Sequence, residues 1–138
     1  VDDLHERAGS SKVLHLHGEI RKVRSSLDSK LVYEWPEAHL SLGQLCEKGS
    51  QLRPHIVWFG ESVFAMHEAA QLFGQAKKVL VVGSSLVVQP AASLLAYASF
   101  EAEKVLINLE HANTQGNYEY LQGSACEQVP TLVERWLL

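Results

Sequence analysis

The stretch Leu52-Arg-Pro-His-Ile-Val-Trp-Phe-Gly-Glu61 contains an apolar run that stops at a glycine followed by an acid. Residues 56–59 predict a short buried strand. Gly60 after them permits close approach of another backbone. A strand usually ends in a solvated turn, whereas here two large aromatic residues precede the glycine. The residues alone leave two interpretations open: an ordinary core strand followed by a turn, or a strand whose end opens into a site.

Strand-like and helix-like segments alternate along the rest of the chain. Residues 78–85 and 104–110 are apolar without alternation, which predicts strands buried on both faces, as in a parallel sheet. Residues 65–76 have helical periodicity, Pro90 opens a predicted helix over 91–98, and a last helix is predicted after Pro130. This order predicts an α/β fold with a parallel, doubly wound, Rossmann-like sheet.

Residues 13–17 predict one more short strand, with Val13, His15 and His17 on one face. Residues 19–51 are the least regular part of the sequence and predict a lid or small insertion, with a short helix near residues 40–45. We therefore expect residues 1–18 and 52–138 to form the main domain and residues 19–51 to form an insertion packed on it.

The composition is that of an ordinary globular protein and excludes several function classes. The 138 residues are 46% hydrophobic and 20% charged, which predicts a single domain with a real core. A net charge of -4 gives no electrostatic footprint for nucleic acid or anionic lipid. The absence of a CxxC pair, a signal peptide and a long apolar stretch predicts a reduced, soluble, cytoplasmic protein.

Doubly wound sheets bind ligands beyond the carboxyl ends of their strands. Gly83, Ser84 and Ser85 end one predicted strand and could approach phosphate or ribose, or could form a plain turn. Asn108 ends the next strand and could bind a ribose hydroxyl or cap a turn.

His17 is the best candidate for a general base, because imidazole titrates near neutral pH. A structural role is the alternative for any one of the seven histidines. His15 and His17 could also bind a metal, although no third ligand is evident. Glu61 is a candidate acid or base, or a polar contact at the rim. Cys46 and Cys126 are most simply buried small apolar groups.

Taken together, the motifs resemble the sirtuin (Sir2) family of NAD-dependent protein deacylases. Residues 1–9 resemble the end of the family's Gln-Asn-Ile-Asp-x-Leu-His motif, and Leu16-His-Gly18 resembles its catalytic Leu-His-Gly. The stretch 52–61 resembles the acyl-lysine strand. Residues 83–90 and 107–110 resemble the cofactor strands, so the pieces are collinear over nearly the whole chain.

The resemblance implies a reaction in which an acyl-lysine and NAD give the free lysine, nicotinamide and O-acyl-ADP-ribose. His17 would be the base that acts on the ribose hydroxyls, and Asp2 would hold the nicotinamide carboxamide. The adenosine half of NAD would be bound by Gly83, Ser84, Ser85, Asn108, Leu109, Glu110, Ala125 and Cys126. The acyl-lysine peptide would be bound by Val57, Phe59, Gly60, Glu61, Leu86, Val87 and Val88, as a strand added between two edges.

Two departures from the family pattern modify this expectation. The family's four zinc cysteines are missing, so we expect no zinc and a metal-free small domain in residues 19–51. The chain begins at Val1, without the family's N-terminal third and its Gly-Ala-Gly-Ile-Ser loop, and we expect it to be the C-terminal part of a sirtuin. The alternative is a catalytically incomplete fragment that binds peptide or ADP-ribose only. An exposed sheet edge would favour a homo-oligomer.

Overall fold

Two sheets of different kinds organise the chain. A computed structural model describes residues 1–37, 39–110 and 116–138. They divide into two units, Val1–Ala65 and Met66–Leu138. The first unit contains a three-stranded antiparallel sheet and the second a three-stranded parallel sheet.

The antiparallel sheet of the first unit has the strand order β2-β1-β3. Its elements are helix α1 (Leu4–Arg7), β1 (Gly18–Ser25), β2 (Val32–Glu34) and β3 (Leu52–Ile56). Val23, Cys46 and Leu52 are buried at its centre, and Leu31, Tyr33, Trp35 and Leu40 pack around them. This small core makes the segment between residues 19 and 51 a folded part of the first unit.

The structure corrects three expectations in this region. Residues 13–17 form no strand, and the segment predicted as a lid or insertion supplies nearly all of β1 and the whole of β2. Three cations in β1 hide its strand character, and a shift of register between Glu19 and Val23 breaks the alternation. No helix forms near residues 40–45, where short turns lead to an isolated bridge between Leu45 and Gln51.

The strand predicted over residues 56–59 is displaced towards the N-terminus. β3 ends at Ile56, and it contains Pro54, which an edge strand tolerates. Trp58 is 55% exposed and Phe59 is 97% exposed, so neither aromatic residue is in a core. The Arg53 guanidinium lies 4.0 Å from the centroid of the Trp58 ring, a cation–π contact that keeps this residue at the surface.

The second unit confirms the predicted parallel α/β arrangement. It contains α2 (Met66–Gln75), β4 (Lys78–Val82), a 3₁₀ helix (Ala91–Tyr97), β5 (Glu103–Asn108), β6 (Glu119–Gln122) and α3 (Ala125–Leu137). The strand order is β4-β5-β6 with every pair parallel. β5 is the central strand, and three of its residues, Val105, Leu106 and Ile107, are at most 1% exposed.

Three features of the second unit differ from the sequence prediction. α3 begins at Ala125 and contains Pro130, because its apolar face packs on β5 through Leu132 and compensates for the missing N–H. The segment over residues 91–97 is a 3₁₀ helix, and β6 was not predicted. Within the described residues, no helix is long and apolar enough to cross a membrane.

A three-residue ionic cluster, which we call the Glu61 clamp, holds the turn that follows β3. It consists of Arg24, Arg53 and Glu61. Arg24 and Arg53 are direct partners across β1 and β3, and both guanidinium groups donate hydrogen bonds to the Glu61 carboxylate. The hydrogen bonds from Arg53, followed by the N–H of Trp58, lower the pKa of Glu61 to about 2. The carboxylate is therefore ionised at neutral pH.

We expect Gly18→Ala to destabilise the protein by about 2 kcal/mol or more. Gly18 has φ +84°, and a Cβ at this position would lie 2.0 Å from the carbonyl oxygen of His55. Gly43 is the matched control, because it has φ +92° but open space around a Cβ. Gly43→Ala should cost about 1 kcal/mol from backbone strain alone. Urea unfolding of both variants measures the difference, and equal losses would contradict the steric explanation.

The Glu61 clamp should make the free energy of unfolding depend on pH in the acidic range. The folded-state pKa of Glu61 is lowered from 4.5 to about 2, so its stabilisation is present above pH 4.5 and is lost as the pH falls towards 2. Between these values, the urea midpoint of the wild type should fall more steeply than that of Glu61→Gln. Glu68→Gln, at an exposed position on α2, should follow the wild type. Parallel curves for the wild type and Glu61→Gln would contradict the assignment.

Candidate functional site

His17 lies in a turn whose backbone is fixed on two sides. Its carbonyl oxygen accepts the N–H of Val57 at 3.0 Å, and the carbonyl oxygen of Leu16 accepts the N–H of Phe64 at 3.0 Å. The imidazole is half-buried and has no hydrogen bond or ion pair among the described residues. A fixed backbone and a free ring leave this side chain able to exchange a proton with a ligand.

His15 has a different environment from His17, although the two lie on the same segment. The His15 ring pairs with the Glu6 carboxylate of α1, and its side chain is only 17% exposed. The described part of the chain contains no group of three His, Cys, Asp or Glu residues that could hold a metal. The geometry therefore favours a structural role for His15 and gives no support to a metal site shared by His15 and His17.

The turn after β3 presents unpaired backbone groups next to this histidine. Within the described residues, the carbonyl of Val57 and both backbone groups of Gly60 have no hydrogen-bond partner. Gly60 has φ +88°, and Phe59 beside it is almost fully exposed. The side chain of Glu61 is engaged in the Glu61 clamp, which was not expected. The turn can therefore contact a ligand through its backbone and through Phe59.

Arg24 and Arg53 are the two residues at this turn that sequence reasoning missed. Arg24 lies in a charged part of β1, yet its side chain is only 8% exposed. A polar pocket of about 310 Å³ lies beside both arginines and is lined by four serines, Ser25, Ser26, Ser29 and Ser62, together with Leu27, Glu61 and Phe64. An alternation of buried and exposed residues within 18–25 could have revealed that β1 is a strand. The register shift interrupts that alternation.

In the second unit, the carboxyl ends of the parallel strands are linked by backbone hydrogen bonds. The N–H of Gly83 donates to Ile107 at 2.9 Å, and the N–H of Gly123 donates to Asn108 at 2.9 Å. Gly83, with φ +66°, has open space where a Cβ would stand. The predicted cofactor residues that follow β4, β5 and β6 are thereby brought to one edge of the sheet.

The residues that follow β5 are held in place by β6. The side-chain amide of Gln122 donates to the carbonyl of Leu109 at 3.2 Å, and the Tyr120 hydroxyl donates to the carbonyl of Glu110. Asn108 uses its side-chain oxygen to accept the N–H of Leu109 at 3.1 Å. This contact is local to the turn, and among the described residues the amide NH₂ of Asn108 makes no hydrogen bond, so it can donate to a ligand.

The segment that follows β4 has a compact turn and then an exposed apolar edge. Ser84 accepts the N–H of Leu86 at 3.2 Å through its hydroxyl oxygen, while Ser85 is exposed. Leu86 has φ +54°, an unfavourable conformation for a branched side chain. Val87 and Val88 are 72% and 53% exposed, so this edge is accessible.

Three further candidates lie at helix starts. Ala125 and Cys126 form the first turn of α3 and are exposed, and among the described residues their N–H groups have no backbone acceptor. Asp2 is exposed before α1, and its carboxylate accepts the N–H of Leu4 at 3.1 Å. That hydrogen bond holds the pKa of Asp2 below its ordinary value.

A buried hydroxyl and thiol network occupies the centre of the first unit. Ser25 and Ser50 share a hydrogen bond of 2.6 Å between their hydroxyl oxygens, and Ser50 lies 3.1 Å from the sulfur of Cys46. The hydrogen bond with Ser50 lowers the pKa of the Cys46 thiol to about 7. Cys46 is buried as predicted, whereas Cys126 is exposed and is not the buried apolar group that the sequence suggested.

A second cavity, of about 620 Å³, lies in the second unit and is lined in part by Leu86, Phe100 and Lys104. Lys104 is 8% exposed. Its ammonium donates to the carbonyls of Ser99 at 2.6 Å and Ala102 at 3.2 Å, and more weakly to that of Phe100 at 3.5 Å. These contacts satisfy the buried charge, so Lys104 has a structural role.

Comparison with known proteins identifies the family. Residues 1–90 match the profile of the Sir2 family. The NAD-dependent protein deacylase of Helicobacter pylori is 47% identical over 137 residues, which are 98% of this chain and 59% of that protein. The chain thus spans somewhat more than half the length of the curated relatives it matches.

Two solved structures are similar over almost the whole chain. A mutant Sir2 homologue in complex with ADP-ribose has a TM-score of 0.85 and 38% identity, over 97% of this chain and 56% of that chain. A Sir2 enzyme bound to a propionylated peptide has a TM-score of 0.76 and 32% identity, over 97% of this chain and 60% of that chain. From the motifs, the fold and these matches, the chain belongs to the Sir2 family.

Proposed function

We propose that the protein is an NAD-dependent protein lysine deacylase that produces nicotinamide and O-acyl-ADP-ribose. The observation that carries this proposal is the free imidazole of His17, whose own carbonyl is hydrogen bonded to the backbone of Val57. A base and a peptide-binding turn are thereby held next to each other. The curated relatives are named as enzymes of this kind, which supports catalysis rather than binding alone.

His17 is proposed to take a proton from a ribose hydroxyl. Its ring makes no competing hydrogen bond among the described residues, and its backbone cannot shift without breaking the contact with Val57. General bases in enzymes need both a neutral ring and a fixed position. Asp2, which precedes α1 in the chain, is proposed to contact the nicotinamide carboxamide.

The acyl-lysine is proposed to bind at the turn after β3. The free carbonyl of Val57 can accept the N–H of the acyl-lysine amide, and the exposed ring of Phe59 can cover the acyl group. Gly60 and Glu61 offer backbone groups for an added peptide strand, and residues 86–88 are proposed as the second edge. A relative solved with a propionylated peptide supports this substrate class.

The carboxyl edge of the second unit suits the adenosine half of NAD. Open space at Gly83 allows close approach, the NH₂ of Asn108 can donate to ribose, and the exposed first turn of α3 offers N–H groups beside Ala125 and Cys126. Ser84, Ser85, Leu109 and Glu110 line the same edge. When bound, NAD supplies a ribose carbon from which nicotinamide can leave. A mutant relative is solved with ADP-ribose, which supports this assignment.

Several coarser expectations accompany this proposal. Residues 1–18 and 52–138 are proposed to act together as the NAD and acyl-lysine domain, with residues 19–51 in place of a zinc module. Acylated lysine proteins are the proposed partners, without nucleic acid or membrane. The cytoplasmic setting and a homo-oligomer remain predictions from composition and from the sheet edge.

The first test of the proposal is His17→Ala in the complete native protein. Nicotinamide release from NAD with an acetyl-lysine peptide should fall by at least about a hundredfold, the usual contribution of a general base. His67→Ala is the control, because His67 is exposed on α2 and, among the described residues, its ring shares a hydrogen bond with Gln71 alone. Its turnover should equal that of the wild type. Unchanged turnover in His17→Ala would overturn the assigned base.

The second test concerns the absence of zinc. Prolonged treatment with a chelator should leave both nicotinamide release and the urea unfolding midpoint unchanged, because Ser25, Ser50 and Cys46 are joined by hydrogen bonds. A protein with a four-cysteine zinc site, treated in parallel, should lose its metal and unfold. Activity that disappears with the chelator and returns with zinc would contradict the metal-free assignment.

A further inference from the structure

The Glu61 clamp joins two strands to the turn that is proposed to bind the acyl peptide. The Nη2 atom of Arg24 lies 2.9 Å from one carboxylate oxygen of Glu61, and Arg53 contacts both oxygens in a fork. Fork contacts fix the direction of a carboxylate as well as its distance. The side chain of Glu61 therefore has one defined orientation.

The remaining contacts of the clamp all close on the same short segment. The Nη2 atoms of Arg24 and Arg53 also donate to the carbonyl of Ile56, at 3.3 and 3.2 Å. The Glu61 carboxylate accepts the N–H of Trp58 at 3.1 Å, and the N–H of Glu61 donates to the carbonyl of Trp58 at 3.0 Å. Both ends of the turn are thus tied to the sheet.

The Glu61 clamp is not what we expect if its role were only to stabilise the fold. Arg24 and Arg53 are direct cross-strand partners, and like charges in that relation repel each other. Arg24 is nearly buried, and apolar residues of similar volume often stabilise a protein as well as a buried ion pair does. The geometry instead gives a single, rigid conformation to a turn that contains a glycine.

The clamp uses the side chain of Glu61 and leaves the outer backbone of the turn open. In the described part of the chain, neither the carbonyl of Val57 nor the backbone groups of Gly60 have partners. A carboxylate that contacted the peptide directly would have to release two guanidinium groups. The side chain therefore acts from behind the turn, and the backbone in front of it is presented to the ligand.

We propose that Glu61, held by Arg24 and Arg53, is a positioning residue that fixes the backbone of residues 57–61 for pairing with the acyl-lysine peptide. This inference rests on the proposed deacylase function. Neither arginine belongs to the proposed binding set, and the role of Glu61 changes from a contact with the peptide to a support of the turn. Fixing the edge in advance reduces the ordering cost of peptide binding.

The test is steady-state kinetics of Glu61→Gln in the complete native protein, with NAD and an acetyl-lysine peptide. The amide keeps the size of the side chain but cannot hold two guanidinium groups. The KM for peptide should rise about tenfold, while kcat changes by less than about threefold and the KM for NAD by less than about twofold. A loss of folded protein would lower the apparent kcat and leave both KM values unchanged, so this split separates positioning from simple destabilisation.

Two further variants keep the test decisive. Arg53→Lys retains the charge but loses the fork, so its KM for peptide should lie between those of the wild type and Glu61→Gln. The double variant Arg24→Gln/Glu61→Gln should bind peptide no worse than Glu61→Gln alone, because the three residues act as one unit. Glu68→Gln, an exposed acid on α2, should match the wild type.

The outcomes distinguish the two levels of the proposal. A wild-type protein that releases no nicotinamide with acyl peptide removes the deacylase function itself. An active wild type with an unchanged peptide KM in Glu61→Gln overturns the positioning role and leaves the function standing. Additive effects in the double variant would also count against the clamp as one unit.

Discussion

The first unit depends on a counter-charge for two arginines that lie opposite each other on neighbouring strands. Arg24 and Arg53 would repel each other across β1 and β3 without a counter-charge. Glu61 supplies that charge from a residue beyond the end of β3, so the two ion pairs anchor the turn to the sheet. The requirement for charge balance in the sheet thus determines the path of the chain that follows it.

That path brings the two most informative segments of the sequence into contact. The backbone of His17 accepts a hydrogen bond from Val57, and Gly18 lies too close to His55 to carry a side chain. The Leu-His-Gly and Trp-Phe-Gly-Glu motifs are therefore parts of one local structure. Motif spacing alone indicated two separate strand ends.

The sequence predicted the parallel α/β part well, because the strands predicted over 78–85 and 104–110 contain the unbroken apolar runs 79–82 and 105–107, which have few alternative structures. It failed over residues 13–34, where charged side chains and a register shift conceal β1 and where a glycine with positive φ begins the strand. The same concealment of β1 explains why the role of Arg24 and Arg53 was missed. Their role depends on cross-strand pairing, which no local pattern records. The contrast between a paired His15 and a free His17 likewise required three-dimensional contacts.

Lys104 has a consequence for a protein whose proposed chemistry concerns modified lysines. Its ammonium is directed at three carbonyl oxygens and is almost inaccessible to solvent. An amine must lose its proton and expose a lone pair before it can react with an acyl donor. The native fold keeps the nitrogen of Lys104 away from an acyl donor, whereas the unfolded chain exposes it. Acylation at Lys104 would therefore mark molecules that had been modified before they folded.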